Sequence, residues 1–395
     1  MPALAAVAPP PGAESIQGLY VHVPFCRHKC HYCDFYSFVD RDSRQPAYVD
    51  ALQRDVEASR PWLTSQLSTI FVGGGTPTLL GPAELARALA SIASLPREAT
   101  VEWTVEANPE TVDAEKAAVM ANAGVNRVSV GAQSFHEPSL VMLERHHDPA
   151  SVGRAVRTLR AAGLSDINLD LIFGVPGSSL GSWREDLARV IELEPTHISC
   201  YALTYEPGTP LESRLRQGRI VRMDEDRELD MLQSAIETLA EAGYEHYEIS
   251  NWARRGHRCR HNELYWQMGS WWAIGPSATA QVGRTRWKVV PRLGDWLSGP
   301  PLGTVVDVER PDGDTWAGES FMMGLRLIDG LPAGRVEALL ALGQEGGRRR
   351  AALAGSIAKG WLEWNGGALR FTGRGLPLAN EVIAELLPAN PRISP

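Results

Sequence analysis

Three of the five cysteines, Cys26, Cys30 and Cys33, form a C-x3-C-x2-C cluster near the start of the chain. Residues 19–23 before it are β-rich and Pro24 closes that run, so the thiols are expected on a loop at a strand's carboxyl end. Three close thiolates suit an iron–sulfur cubane, whose fourth iron, lacking a protein ligand, stays open to a small molecule. They also suit a zinc ion completed by His28 or His31, and a loop with incidental thiols is the third reading.

The elements that must position such a loop recur along the chain. A strand expected over 67–72 runs into Gly73-Gly74-Gly75-Thr76-Pro77, and one over 101–105 into Glu106-Ala107-Asn108-Pro109. Further strands are expected over 127–130, ending at Gly131-Ala132-Gln133-Ser134-Phe135, and over 167–171 and 197–203. Helical spacing over 47–58, 82–92, 113–123, 152–162 and 180–193 fills the intervals, with Gly124 and Gly163 as stops. Six βα-type units predict an α/β fold, an open partial (β/α)6 barrel two units short of closure, with a doubly wound sheet as the alternative. The polar and glycine-rich motifs all fall just past strand ends, where such folds place their sites. Glu106, Gln133, Arg145 and Asp170 are candidates there for a polar ligand with amino-acid and ribose groups.

With 395 residues, 44% apolar and 22% charged, the chain reads as a globular protein with one large and one or two smaller domains. A formal charge of -8 argues against nucleic acid as a bulk electrostatic partner. Residues 1–17, interrupted by Pro9, Pro10 and Pro11, read as a disordered arm, neither secretory signal nor span. No long apolar run suits a bilayer, and few cysteines suggest a reducing, cytoplasmic setting. Residues 18–250 form the expected barrel. Residues 251–300 read as a connecting segment rich in Trp, His and Arg, and 301–395 as a smaller helical, winged-helix-like unit with a hairpin over 362–371.

These motifs resemble the radical S-adenosylmethionine (SAM) superfamily and, more closely, the oxygen-independent coproporphyrinogen III oxidase-like family. The likeness is carried by residues 20–35, Gly73 to Thr78, the Glu106 and Gly131 motifs, Asn168-Leu169-Asp170-Leu171-Ile172 with Gly174-Val175-Pro176-Gly177, and residues 201–209. The resemblance implies a [4Fe-4S] cluster on Cys26, Cys30 and Cys33. It implies SAM contacts from Tyr20, Tyr32, Gly74, Gly75, Thr76, Glu106, Gln133, Arg145, Asp170 and Thr204, with reductive cleavage to an adenosyl radical. Asp34 follows Cys33 where the oxidases tend to carry another cysteine, and only a short arm precedes Gly18. Both features favour the HemW branch of haem chaperones, with haem as cargo for an unidentified acceptor protein, including one docked transiently at a membrane. The alternatives are porphyrinogen oxidation in porphyrin biosynthesis and a zinc-stabilised α/β binding protein. The run His261-Asn262-Glu263-Leu264-Tyr265-Trp266 looks like that branch's H-N-x-x-Y-W motif, which implies His261 as a haem ligand, with His257 its rival. By the same reading, nearby tryptophan faces would pack on the macrocycle and arginines would pair with its propionates. Cys200 and Cys259 are left structural or incidental.

Overall fold

The computed structural model describes residues 2–389 and the backbone of 393–394. Six strands lie side by side in chain order and parallel: β1 (Gly18–Val23), β2 (Leu67–Gly74), β3 (Arg97–Ala107), β4 (Arg127–Gln133), β5 (Asp166–Phe173) and β6 (His197–Ala202). Their register carries the carboxyl ends to one rim, with Val23 opposite Gly74 and Ala107 opposite Val130. After a short α1 (Leu4–Val7), the outer layer is α2 (Gln45–Ser59), α3 (Pro82–Ala93), α4 (Ala114–Ala123), α5 (Glu137–Met142), α6 (Pro149–Ala161) and α7 (Leu180–Glu192). Local chemistry sets their ends. Asp113 caps α4 by accepting from the Lys116 amide, and Gly124 closes it at φ 96°. Asp148 caps α6 with Pro149 in its first turn, and Ser179 and Ser182 form a capping box on α7.

Strand β1 does not meet β6, so the barrel stays open, as the six-unit count predicts. The chain continues through α8 (Pro210–Arg216) and α9 (Glu225–Glu241) into β7 (Glu245–Glu248) and β8 (Asn251–Ala253), which extends the sheet beyond β6. Helix α10 (Arg260–Trp266) leads to β9 (Trp271–Ile274), which runs parallel beside β1, and then to β10 (Thr279–Val282) and β11 (Thr285–Val289). Residues 251–300 are therefore not a connector, because their strands flank both edges of the six-stranded sheet. Their tryptophans explain this. Trp252, Trp272, Trp287 and Trp296 are fully buried and supply the apolar surface that fixes those strands and α11 (Leu293–Ser298) on the core.

The reading of 1–17 as disordered is also corrected for residues 2–17; Met1 lies outside the described residues. Leu4 and Ile16 are buried, the Trp62 indole donates to the Pro9 carbonyl at 3.0 Å, and the Val305 amide donates to Pro2 at 3.0 Å. A few aliphatic side chains anchor the segment despite its prolines.

After β12 (Val305–Pro311), the C-terminal part comprises α12 (Gly313–Gly324), β13 (Leu331–Pro332), α13 (Ala333–Leu340), α14 (Gly346–Ala358), the hairpin β14 (Leu362–Asn365) and β15 (Ala368–Phe371), and α15 (Ala379–Leu386). Its own apolar core gathers Phe321, Val336, Leu339, Leu353, Leu369 and Leu386. Helices with a three-stranded wing match the winged-helix-like expectation.

Candidate functional site

The cysteine loop grows from the end of β1. Cys26 donates its amide to Phe38 and Phe38 donates to Pro24, both at 3.0 Å, so the loop is closed at its base. The glycine run after β2 holds it from below: the amides of Gly75 and Thr76 donate to the carbonyls of Val23 and Phe25, each at 2.7 Å. Gly74 sits at φ 103°, and a Cβ there would stand 2.3 Å from the His22 ring; one at Gly75 would stand 2.7 Å from two carbonyl oxygens. Only glycine permits this approach. The Gly74 amide donates to Glu106 Oε2 at 2.9 Å, so the amides of these two glycines are taken up within the fold.

Above the strand ends lies a cavity of about 400 Å³. Cys26, Cys30 and Cys33 line it with Tyr32, Gly74, Gly75, Thr76, Glu106, Gln133, Arg145, Asp170 and Thr204. Tyr20 is the one SAM candidate outside that lining; its hydroxyl bonds His22 Nδ1 at 2.9 Å and its ring stacks on Phe71. Arg145 is fixed by Nη2 bonds to Asn108 Oδ1 (2.8 Å) and the Gly131 carbonyl (2.7 Å), and its Nη1 reaches Cys30 Sγ at 3.6 Å. Asn108, quoted in its motif but not singled out, also donates to Thr76 Oγ1 at 3.0 Å, which in turn lies 3.7 Å from Cys26 Sγ. This neutral amide thus ties the arginine to the cysteine loop. Asp170 accepts from Ser129 (2.9 Å) and Asn168 (2.8 Å), partners that composition could not pair. Burial raises the Asp170 carboxyl and lifts Glu106 to about 7, with Asp170 adding charge repulsion and the Gly74 amide opposing.

Burial also pushes the Cys26 thiol up and the Cys33 thiol to about 11. Thiols in such a setting ionise when a metal draws the proton off. Among the described residues the one group of three His, Cys, Asp or Glu donors within 4.8 Å of one another is His28, Glu144 and His146. That group does not include the three sulfurs. The zinc reading loses its fourth ligand, because His31 Nδ1 turns to Glu144 at 3.4 Å and His28 Nε2 lies 3.9 Å from it.

The profile of the Radical SAM superfamily matches residues 20–190. The heme chaperone HemW of Mycobacterium tuberculosis (strain ATCC 25618 / H37Rv) is 35% identical over 392 residues, 97% of either chain. This chain belongs to the HemW family of radical SAM proteins. The Escherichia coli (strain K12) heme chaperone HemW is 38% identical over 87% of this chain and 91% of its own. Among solved structures, coproporphyrinogen III oxidase (HemN) from Escherichia coli superimposes with a TM-score of 0.81 at 21% identity, covering 94% and 90% of the two chains, a likeness of fold. Radical SAM membership implies a [4Fe-4S] cluster and SAM as resident groups. No helix among the described residues is long and apolar enough to cross a membrane.

In this HemW-family chain the H-N-x-x-Y-W motif opens α10, away from the cavity. His261 is fully buried, with Nδ1 bonded to Thr69 Oγ1 (2.9 Å), Nε2 bonded to the Tyr265 hydroxyl (2.8 Å) and its face on Phe71. Neither nitrogen is free for an iron, and burial lowers the ring to about 3. Its expected role as a haem ligand does not hold in this arrangement; it packs beneath β2 as a core residue. His257 pairs with Asp166 at 3.2 Å. The neighbouring arginines are engaged as well: Arg258 with Asp329, Arg260 with Glu98, and Arg254 over the Tyr244 ring. Cys200, in β6, and Cys259, at the start of α10, are both buried.

Proposed function

We propose that this chain is a haem chaperone, binding haem as cargo and passing it to an acceptor protein, with a [4Fe-4S] cluster on Cys26, Cys30 and Cys33 and SAM in the adjoining cavity. The observation that carries the reading is relatedness along 97% of both chains to a heme chaperone HemW. Asp34 beside Cys33, in place of another cysteine, supports the same branch.

When bound, the cluster and SAM supply one-electron chemistry. The chain's own residues hold and orient. Cys26, Cys30 and Cys33 would supply three thiolates to the cluster. The main chain of Gly74 and Gly75 with Thr76 offers a side-chain-free wall, and Glu106 and Asp170, kept apart by their separate hydrogen-bond partners, are placed for an ammonium or a ribose diol. Arg145 is placed for a carboxylate, with Tyr32, Gln133 and Thr204 completing the lining. Phe35 and Tyr201, 60% and 40% exposed on the cavity's lip, offer aromatic faces to a flat macrocycle. This gives haem an entry that does not use His261.

Haem titration and coproporphyrinogen turnover, run side by side on anaerobically reconstituted protein, test the proposal. Stoichiometric haem binding, transfer to an apo-haemoprotein and no turnover are expected. Conversion of coproporphyrinogen with SAM and reductant would replace the chaperone by an oxidase. Loss of haem binding in a folded His261→Ala variant would restore the ligand role that the buried ring argues against.

A further inference from the structure

We propose that His28, Glu144 and His146, with His31 alongside, form a binding site for a divalent transition-metal ion separate from the three thiols. Glu144 Oε1 lies 3.9 Å from both His28 Nε2 and His146 Nε2, and the three donor atoms fall within 4.8 Å of one another. Separations of 3.9 Å are too long for hydrogen bonds, which end near ~3.2 Å. They are close to what one shared ion requires, since donors at ~2.1 Å around a tetrahedral centre stand ~3.4 Å apart. Bringing donors spread over as much as 4.8 Å to that separation takes a side-chain shift of about 1.4 Å.

A second observation is independent of those distances. His28 Nε2 and His31 Nδ1 are shielded from solvent and have no hydrogen-bond partner, although each points at the same carboxylate. Buried imidazole nitrogens in that condition lack the partner that such groups normally find. The backbone adds a third. Glu144 follows the end of α5 with φ 57°, a left-handed position where glycine is usual. Its neighbour Arg145 turns to Cys30 and the Gly131 carbonyl, while Glu144 and His146 meet His28 and His31 of the cysteine loop.

The donor set decides the class of ion. Imidazoles with one carboxylate select zinc, cobalt, nickel or ferrous iron over magnesium and calcium, which take oxygen ligands. The nearby cations do not block the site: Lys29 donates to the Phe35 carbonyl and Arg145 is held by Asn108 and Gly131. Bound there, the ion clamps residues 28–31 of the cysteine loop to residues 144–146, ordering the loop from outside. His28 also lines the cavity, so the ion would sit at the cavity's edge.

Cobalt titration of the full-length reduced protein tests it, because absorption separates imidazole–carboxylate cobalt from thiolate cobalt. One equivalent with weak d–d bands and no thiolate-to-cobalt charge transfer is expected, displaced by stoichiometric zinc. His146→Ala, at an exposed ring, and Glu144→Gln should each weaken it at least tenfold while keeping the wild-type circular dichroism. Zinc should also slow amide exchange across residues 26–38. Unchanged affinity in both variants, a purely thiolate spectrum, or binding only at millimolar metal would overturn the site.

Discussion

Glu106 is the cavity side chain on which pH acts most directly. Its carboxyl titrates at about 7 in the folded chain, against ~4.3 for a free glutamate, because burial outweighs the Gly74 amide that stabilises its charge. The folded value is the higher one, so its contribution to stability is complete below the free value and is lost as pH rises through 7. The cost of carrying the charge at pH 8 is about 4 kcal/mol. Glu106→Gln, which keeps an acceptor for Gly74, should raise the melting temperature of the ligand-free protein at pH 8 by several degrees and leave it nearly unchanged at pH 5. Calorimetry at the two pH values checks this, and an equal shift at both would remove the charge as the cause. At this scale the sequence was legible where position announced a role: Glu106 and Asp170 lie in the carboxyl halves of β3 and β5, Arg145 follows α5, and all three line the cavity. It was silent on Asn108, because an amide that joins two loops has no pattern of its own. His261 shows the reverse failure. A histidine in a run of aromatic and basic residues has the right type for a metal, but burial and two hydrogen-bond partners are properties of the fold.

Single side chains also decide which elements move together, and Arg349 does so for the C-terminal helices. Fully buried, it donates Nη1 to Asp314 Oδ1 (3.0 Å), Nη2 to the Asp314 carbonyl (2.6 Å) and Nε to the Leu386 carbonyl (3.0 Å). One guanidinium on α14 therefore links the start of α12 to the end of α15. Breaking a buried pair costs about 3–5 kcal/mol. Asp314 keeps amide donors from Gln344 and Glu345, both at 2.9 Å, so the lower end applies. Arg349→Met is expected to speed amide exchange in α12, α14 and α15 by roughly a hundredfold while β1 to β6 keep wild-type protection. A uniform loss across both regions would show that the C-terminal core does not open by itself. The six parallel strands were readable because each is a buried apolar run closed by a glycine or polar motif. β3 was read short, since its polar start at Arg97 and Glu98 breaks the apolar pattern although the backbone pairing continues. The strands of 251–300 were hidden by the very tryptophans that build them, which read as a ligand platform until their burial was seen.

Across the whole molecule, buried histidines and buried carboxyls oppose each other in pH dependence. Burial holds His22 and His246 at about 4 and His261 at about 3, with His197 also well below its free value. Free histidine titrates near ~6.5, so these groups contribute stability above that pH and lose it as pH falls toward their folded values. Asp55 at about 6, and Glu106 and Glu248 at about 7, act with the opposite sign, losing stability as pH rises through those values. Between about pH 4.5 and 6.5 unfolding lets the histidines take up protons while the carboxyls release them, and the slopes largely cancel. Below about 4.5 the carboxyls are protonated in both states, and the histidine slope stands alone. Stability should therefore change little from pH 5 to 7 and fall steeply below 4.5. His22, Glu106, His197, His246 and Glu248 sit on strands of one continuous sheet, and Asp55 and His261 on helices α2 and α10, so the loss should be cooperative. His246 isolates the cause, because its ring stacks on Trp252 at 4.2 Å and its nearest hydrogen-bond contact is a long 3.5 Å. His246→Phe keeps the stacking and removes one proton taken up on unfolding. Its acid midpoint, followed by near-ultraviolet circular dichroism, should move to lower pH with neutral stability unchanged. A midpoint that stays in place would assign acid unfolding to the carboxyls instead.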